Sequence, residues 1–219
     1  MWCIGTLNAE YRERMYDLLE LYARPYCVDE PVICIDEKSK QLLEDARSGL
    51  PIKPGAPAKD DYEYVRAGTC NVFVALEPKG KRRVARVTAQ RTKPQFVAFV
   101  QRLLERTYRS ARKVHLVLDN LNTHFRSSFE QVLGRAAAKT LLRRVQFHYT
   151  PKHASWLNMA EIEIGILERQ CLARRVSDRV QVSREVSAWQ RRRNAQRCGV
   201  DWTFTRQDAD RKLSRHYVS

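Results

Sequence analysis

Residues 32–37 read VICIDE, and a second segment of the same kind, HLVLDN, occupies residues 115–120. Each is a short apolar run that ends in an aspartate, Asp36 in the first segment and Asp119 in the second. Short apolar runs of this kind are typical of strands that are buried on both faces of a sheet. A carboxylate at the end of such a strand lies where an open α/β sheet meets solvent, which is the usual place for a functional site. We therefore predict that Asp36 and Asp119 converge at one edge of a sheet and bind a divalent cation.

The composition is strongly basic. The 219 residues include 40 Lys and Arg against 25 Asp and Glu, which gives a formal net charge of +15. Most of the excess is arginine, whose forked guanidinium group suits contacts with phosphate. Converging acids inside a basic protein indicate an enzyme that acts on the nucleic-acid backbone. The charge alone leaves three alternatives open: a solvated basic surface, a ribosomal-type protein and a membrane-surface binder.

The length and the cysteines indicate a soluble protein of a reduced compartment. A chain of 219 residues with 43% hydrophobic content is long enough for one well-buried domain, or one domain plus an arm. The six cysteines form no C-x-x-C pair and no close Cys/His cluster, so we predict a reduced, cytoplasmic location. The N-terminus has no signal-peptide pattern, and no apolar stretch is long enough to span a bilayer, so no membrane partner is expected.

Hydrophobic periodicity predicts alternating strands and helices. Their order indicates an α/β layout in which helices cover the faces of a sheet that contains one antiparallel hairpin. Residues 47–61 contain three prolines and two glycines, and we predict a loop long enough to be functional. The predicted helices cover residues 7–24, 94–108, 127–139, 158–175 and 181–197, and the predicted strands cover residues 32–36, 71–77, 82–89, 113–119 and 144–150.

The helix that begins at Asn158 offers the third carboxylate that a two-metal site needs. Glu161 lies in its first turn, directly after a strand and a short turn, and is therefore nearest to the two aspartates. Glu163 points about 200° away from Glu161 on a helix, so the two cannot face one site. Glu168 is the remaining candidate on this helix. Each acid also has a structural alternative: the aspartates can end strands or start turns, and Glu161 has capping-box spacing from Asn158.

Polar turns and arginine pairs supply candidate contacts with nucleic acid. Turns beside a sheet edge are common places for substrate contacts, although ordinary turn residues are the alternative. Arginine runs bind phosphate without sequence specificity, although many are only solvated faces. Glu37 alternates to the opposite side of the strand from Asp36 and is expected to pair with a basic residue. The candidate contact residues are Asn120, Asn122, His124, Lys152, His153, Arg174 and Arg175.

Four ordered motifs carry a family resemblance. They are CIDEKSKQLL (34–43), PGAPAKDDYEYVRAGTCNVFVALEP (54–78), LVLDNLNTH (116–124) and HYTPKHASWLNMAEIEIGILERQCLARR (148–175). Together they resemble the catalytic domain of DDE transposases, in particular the bacterial insertion-sequence branch of the mariner superfamily. The resemblance runs from about residue 2 to the end, where WTFTRQDADRKL (202–213) is similar to the C-terminus of that family.

The resemblance implies a ribonuclease-H-like fold, which is a mixed five-stranded sheet flanked by helices. It implies Mg²⁺ as the cofactor, with Mn²⁺ as a substitute, and it maps the three metal-binding acids onto Asp36, Asp119 and Glu161. The implied function is phosphodiester hydrolysis and strand transfer at the ends of an insertion element. The implied partners are double-stranded DNA, as element end and as target, and a second copy of the chain in the active complex. The implied location is the bacterial cytoplasm, with the nucleoid.

The chain departs from the family pattern in three respects. Lys38 stands where the family usually has a small hydroxyl residue, and a lysine there is expected to crowd or partly neutralise the site. Between Asp119 and Glu161 lie 41 residues, more than the familiar mariner spacing, which predicts an insertion around residues 134–144. Relatives normally begin with helix-turn-helix modules, so a separate helix-turn-helix half is a candidate partner. The predicted division is a linker helix (1–30), the catalytic domain (31–180) and a C-terminal helix with a basic tail (181–219).

Two other functions stay open at this point. One is an inactive DNA-binding remnant that associates with a full-length transposase; the missing reader modules and Lys38 favour it, and the intact triad of acids argues against it. The other is a different ribonuclease-H-like nuclease, such as one that acts on RNA–DNA hybrids. The segment YTPKHASWLN (149–158) favours a transposase over that nuclease.

Overall fold

The computed structural model describes residues 7–47, 52–55, 57, 61–213 and 216. Parts of the predicted loop 47–61 and of the two predicted terminal segments lie outside the described residues. The strands are β1 (Val32–Asp45), β2 (Tyr64–Glu77), β3 (Arg82–Thr88), β4 (Val114–Leu118) and β5 (Val145–Tyr149). The helices are α1 (Ala9–Ala23), α2 (Lys93–Arg102), α3 (Arg126–Leu133), α4 (Arg135–Leu142), α5 (Met159–Leu167), α6 (Arg179–Ala195) and α7 (Arg206–Leu213).

The five strands form one mixed sheet in the order β3-β2-β1-β4-β5. β2 is antiparallel to both β1 and β3, whereas β4 runs parallel to β1 and β5 runs parallel to β4. Cys34 of β1 lies opposite Val117 of β4, so Asp36 and Asp119 follow their partnered residues by two positions each. The two acid-bearing strand ends therefore lie side by side, as the sequence predicted.

β1 and β2 extend farther than the sequence predicts. The predicted strand ended at Asp36, but β1 continues to Asp45, and its pairing with β2 runs from Lys38 opposite Val72 to Asp45 opposite Tyr64. We call residues 38–45 and 64–72 the β1–β2 ribbon. Most of its β2 residues are exposed. The prediction missed the ribbon because it relied on apolar runs, whereas cross-strand hydrogen bonds hold these polar segments together.

Helices cover both faces of the sheet. Ile33 and Ile35 of β1 pack in a core with α2, α3 and α4. Cys34, which points to the other face, packs with residues of α1 and α5. α6 completes this second face beside β2 and β3, and its Trp189 is almost completely buried. Burial on both faces explains why β1 begins as an unbroken apolar run.

One helix that was predicted as continuous is interrupted, and two others end in π-helical turns. The predicted helix 127–139 is two helices, α3 and α4, which meet at Gly134 with a positive φ of 79°. A positive φ is sterically open to glycine and breaks the right-handed helix at this point. α4 occupies most of the insertion predicted around residues 134–144. π-helical turns extend α2 over residues 103–107 and α5 over residues 168–172.

The terminal helices pack on the central unit. Met15 and Leu18 of α1 are fully buried in a core that also contains Ala209 of α7, a helix that the sequence did not predict. The division into residues 1–30, 31–180 and 181–219 stays a prediction. The cysteines in the described part of the chain, at positions 27, 34, 70, 171 and 198, are all free. Among the described residues, no helix has the length and apolar character needed to cross a membrane.

Candidate active site

Asn158 brings the first and third predicted acids together. It is fully buried, and its side chain accepts from the Ala160 N–H at 3.1 Å and donates to the Ile35 carbonyl at 3.0 Å. This bridge fixes the first turn of α5, which carries Glu161, against the strand position just before Asp36. Among the described residues the Glu161 carboxylate makes no capping hydrogen bond. The capping role considered for Glu161 therefore belongs to Asn158.

The negative charges of Asp119 and Glu161 act on the buried carboxyl group of Asp36. Asp36 is only 7% exposed and accepts from the Glu37 N–H at 2.8 Å. Burial is the main cause that raises the pKa of Asp36, and the negative charges of Asp119 and Glu161 add to it, so the pKa is about 7. Carboxylates that share a site repel one another in this way, and a cation placed among them removes the repulsion.

A buried imidazole links the second acid to Glu37. His124 Nδ1 contacts the Asp119 carboxylate, and His124 Nε2 lies 3.1 Å from Glu37 Oε2. The ring also packs on Phe96, with 4.5 Å between ring centroids. Burial disfavours the charged imidazole, but the hydrogen bonds to Asp119 and Glu37 outweigh it and raise the pKa of His124 to about 9. Glu37 lies 3.7 Å from Arg91 as well, so its predicted pairing with a basic residue is confirmed.

Lys38 is paired with a carboxylate outside the triad. Its Nζ lies 3.3 Å from Glu168 Oε2, and both side chains are partly exposed. Glu168 follows Glu161 by two helical turns, so the two residues share a face of the helix. Glu168 is therefore the counter-ion of Lys38, which reduces the neutralisation of Asp36 that the sequence led us to expect.

The donor set suits a hard divalent cation. All three acids offer carboxylate oxygens, the ligand type that Mg²⁺ and Mn²⁺ prefer. Asp119 is partly exposed and Glu161 is exposed, so the triad opens to solvent. In the part of the chain that the structure describes, no group of three or more His, Cys, Asp and Glu side chains is arranged to hold a metal ion. The site is thus an open set of carboxylates from three elements.

The predicted contact residues fall into two groups. Asn122, Lys152 and His153 are exposed in the turns that follow β4 and β5. Asn120 is partly buried because its side chain accepts from Arg14 and donates to a backbone carbonyl. The exposed group stays available for contact with DNA, whereas Asn120 is engaged within the protein.

The structure corrects two of these predictions. His124 is fully buried and both ring nitrogens face carboxylates, so it belongs to the interior of the site and not to the DNA-contacting surface. Arg175 donates to Asp45 and to the carbonyls of Asp61, Tyr62 and Glu63, and so fastens the loop end of the β1–β2 ribbon. Its neighbour Arg174 is exposed and forms an ion pair with Glu185.

The family model for DDE superfamily endonucleases matches residues 31–183, a span that contains Asp36, Asp119 and Glu161. The chain belongs to this family. Membership confirms the predicted resemblance at the level of the DDE catalytic domain, while the bacterial insertion-sequence branch stays a prediction. No curated protein sequence matches the chain significantly.

Two solved structures share the fold of this DDE endonuclease domain. The Mos1 mariner paired-end complex with Mn is 15% identical with a TM-score of 0.56, and the match covers 88% of this chain and 58% of that chain. A pre-cleavage Mos1 transpososome is 14% identical with a TM-score of 0.56, and the match covers 100% of this chain and 66% of that chain. The likeness confirms the predicted ribonuclease-H-like, mixed five-stranded sheet. The chain spans less than two thirds of those longer chains.

Sequence reasoning missed the residues that hold the acids of this DDE domain in place. It treated Asn158 only as a capping position and did not predict its second bond to β1. It placed His124 in a substrate-facing turn. The side chain of Glu37 lies on the opposite side of the strand from Asp36, and it was expected to pair with a basic residue. This expectation gave the charge of the residue that pairs with Glu37 but did not identify it as His124, because 87 residues separate the two.

Proposed function

We propose that the chain is the catalytic domain of a DNA transposase. It hydrolyses a phosphodiester bond at the end of a mobile element and then transfers the freed 3′-hydroxyl to target DNA. The convergence of Asp36, Asp119 and Glu161 within the family match carries the proposal. The Mos1 mariner structures of similar fold are a paired-end complex and a transpososome, which supports DNA ends as the substrate.

We propose Mg²⁺ as the metal, with Mn²⁺ as a substitute, held by Asp36, Asp119 and Glu161. Two bound ions supply activation of water and neutralisation of the attacking and leaving oxygens of an in-line displacement. The presence of Mn in one Mos1 complex supports a divalent cation. Asn158 orients Glu161, and His124 occupies one oxygen of Asp119 and leaves the other free for the metal.

The proposed partners follow from the reaction. Double-stranded DNA serves both as element end and as target, and cleavage of two element ends favours a homodimer. A separate helix-turn-helix protein is proposed to read the terminal repeats for this chain. We further propose a bacterial insertion element as the origin of the domain, and a cytoplasmic location with the nucleoid.

The first test is nicking of supercoiled plasmid at low salt with Mn²⁺. The wild-type chain is expected to nick the plasmid, and Asp119→Asn is expected to abolish nicking without changing the far-ultraviolet circular dichroism spectrum. Removal of the metal with a chelator is expected to have the same effect as the substitution, because both empty the carboxylate site.

Three outcomes would replace this proposal. Nicking by Asp119→Asn at the wild-type rate would remove the triad from the chemistry. Wild-type cleavage of an RNA–DNA hybrid in preference to duplex DNA would reassign the domain to another nuclease class. A wild-type chain that binds DNA but never nicks it would favour the inactive remnant.

A further inference from the structure

A groove lined by arginines lies at the β3 edge of the sheet, away from the catalytic triad. It has a volume of about 440 Å³ and lies between β3, the end of α2 and α6. Arg82 and Arg86 of β3 alternate onto the α2 side, and Arg102 and Arg106 face them one helical turn apart. We call these four residues the arginine groove. Among the described residues that line it there is no Asp or Glu.

Three of the four guanidinium groups have no internal partner. Arg86, Arg102 and Arg106 are exposed and make no hydrogen bond or ion pair within the part of the chain that the structure describes. Arg82 lies over the Tyr108 ring at 5.9 Å. Like charges gathered in one groove repel one another, and an anion bound there relieves that repulsion.

Some arginines elsewhere on the surface are ion-paired. Arg112, Arg206 and Arg211 each form an ion pair with a neighbouring carboxylate. The groove residues Arg86, Arg102 and Arg106 differ from these three positions because they have no counter-ion among the described residues.

The edge strand itself is closed to a docking β-strand. The Ala85 N–H donates to the Gln190 side chain at 2.6 Å, and the Arg83 N–H donates to the Asn194 side chain at 2.9 Å. α6 thus satisfies outward-facing backbone groups that an added strand would need. The groups available to a partner at this edge are the guanidinium groups of the arginine groove. Their planar geometry matches that of phosphate oxygens.

The groove lies on the opposite face of the sheet from Asp36. Arg86 is opposite Phe73 of β2, and Phe73 is opposite Glu37 of β1, whose side chain alternates to the other side of the strand from Asp36. Two strand spacings separate β3 from β1, which is about 10 Å. DNA bound in the groove therefore contacts a surface that is separate from the triad.

We infer that the arginine groove binds the phosphodiester backbone of duplex DNA at a surface separate from the triad. The inference rests on the proposed function only in taking DNA as the partner. Guanidinium contacts to phosphate position a duplex without reading its sequence. The groove is thus a positioning surface that is independent of any terminal-repeat reader.

The test measures DNA binding without metal, so that cleavage does not interfere. Fluorescence anisotropy with a labelled duplex of arbitrary sequence gives Kd for the 219-residue chain across a salt series from about 50 to about 200 mM. The test variant combines Arg86→Gln, Arg102→Gln and Arg106→Gln. The matched control combines Arg112→Gln, Arg206→Gln and Arg211→Gln, which removes the same charge from ion-paired positions. Circular dichroism and Tm confirm that both variants fold.

The groove variant is expected to weaken binding by at least about tenfold and to lower the slope of log Kd against log salt by about 0.9 for each lost phosphate contact. The control is expected to change Kd by less than about threefold, because its arginines are already neutralised. Equal losses in the two variants, or wild-type affinity in the groove variant, would overturn the inference and leave the proposed function standing. A wild-type chain that shows no salt-dependent DNA binding would overturn both.

Discussion

His124 is a buried residue that contacts one of the three proposed catalytic acids, Asp119. One imidazole contacts Asp119 through Nδ1 and Glu37 through Nε2, and the side chain is fully buried. Because one Asp119 oxygen is held by His124, the carboxylate has a fixed orientation toward the neighbouring acids. Residues that orient metal ligands in this way commonly change metal affinity by about 10- to 100-fold when they are replaced.

Two substitutions at this position separate its two contacts. In His124→Gln the amide nitrogen occupies roughly the place of Nε2 and preserves the contact with Glu37. In His124→Asn the amide nitrogen occupies the place of Nδ1 and preserves the contact with Asp119. We expect His124→Gln to weaken Mn²⁺ binding by about 10-fold or more, and His124→Asn to weaken it much less. Electron paramagnetic resonance of free Mn²⁺ gives the affinity directly, without an activity assay. Equal affinities in the two variants would show that the Asp119 contact does not orient a ligand.

At the scale of elements, a chain of polar contacts links α1 to the parallel strands. Asp17 of α1 bonds to His148 of β5 at 2.6 Å, and His148 lies 2.9 Å from His115 of β4. Burial is the main cause that lowers the pKa of His115 to about 4, and the neighbouring charge of His148 adds to it. The hydrogen bond from His148 is the main cause that lowers the pKa of Asp17.

The lowered pKa of His115 predicts a contribution to stability that is lost in mild acid, whereas the raised pKa of Asp36 acts in the opposite direction. The unfolded chain protonates His115 near its ordinary pKa of 6.5, but the folded protein resists protonation until about pH 4. The unfolded state therefore binds more protons between these values, so the free energy of unfolding falls as the pH is lowered through this window. We expect His115 to account for on the order of 2 kcal/mol of that fall.

Urea denaturation at several pH values measures the effect. His115→Gln cannot titrate at this position, so the free energy of unfolding of the wild type is expected to fall relative to that of the variant as the pH is lowered through the same window. Parallel pH profiles for the two proteins would exclude His115 as the cause. The contribution of Asp17 is lost only at lower pH, below the ordinary pKa of a carboxyl group, and so does not confuse the comparison.

At the scale of the whole molecule, Glu163 ties three elements into one unit. This carboxylate of α5 is fully buried, 2.9 Å from Arg83 Nε of β3 and 3.1 Å from both Nε and Nη2 of Arg193 of α6. The sequence had excluded Glu163 from the site because it points away from Glu161. The structure confirms that direction and shows that the buried ion pairs hold α5 against the edge of the sheet.

Glu163→Gln is expected to lower the free energy of unfolding by about 3–5 kcal/mol, because it leaves two arginines near the interior without a counter-ion. The matched control is Glu20→Gln, which removes an exposed ion pair with Arg206 and is expected to cost less than about 1 kcal/mol. Chemical denaturation of both variants gives the two values. A loss at Glu163 no larger than that at Glu20 would show that the buried cluster does not hold the three elements together.

The sequence by itself determined the features that depend on local order. Runs of apolar residues ending in aspartate identified the strands of Asp36 and Asp119, because burial on both faces leaves an unbroken apolar signature. Helical periodicity separated Glu161 from Glu163, because the angle between them depends only on their spacing along one helix. Four ordered motifs were then sufficient for the family and for the ribonuclease-H-like fold.

Only the tertiary structure decided which residues meet across long stretches of chain. The contact of Glu37 with His124, the bond from Asn158 to β1 and the position of Arg175 under the β1–β2 ribbon each join segments far apart in sequence. The polar ribbon and α7 lacked the apolar pattern that sequence reasoning relies on. The arginine groove likewise exists because β3, α2 and α6 come together, and a charge without a counter-ion is recognisable only when its spatial neighbours are known.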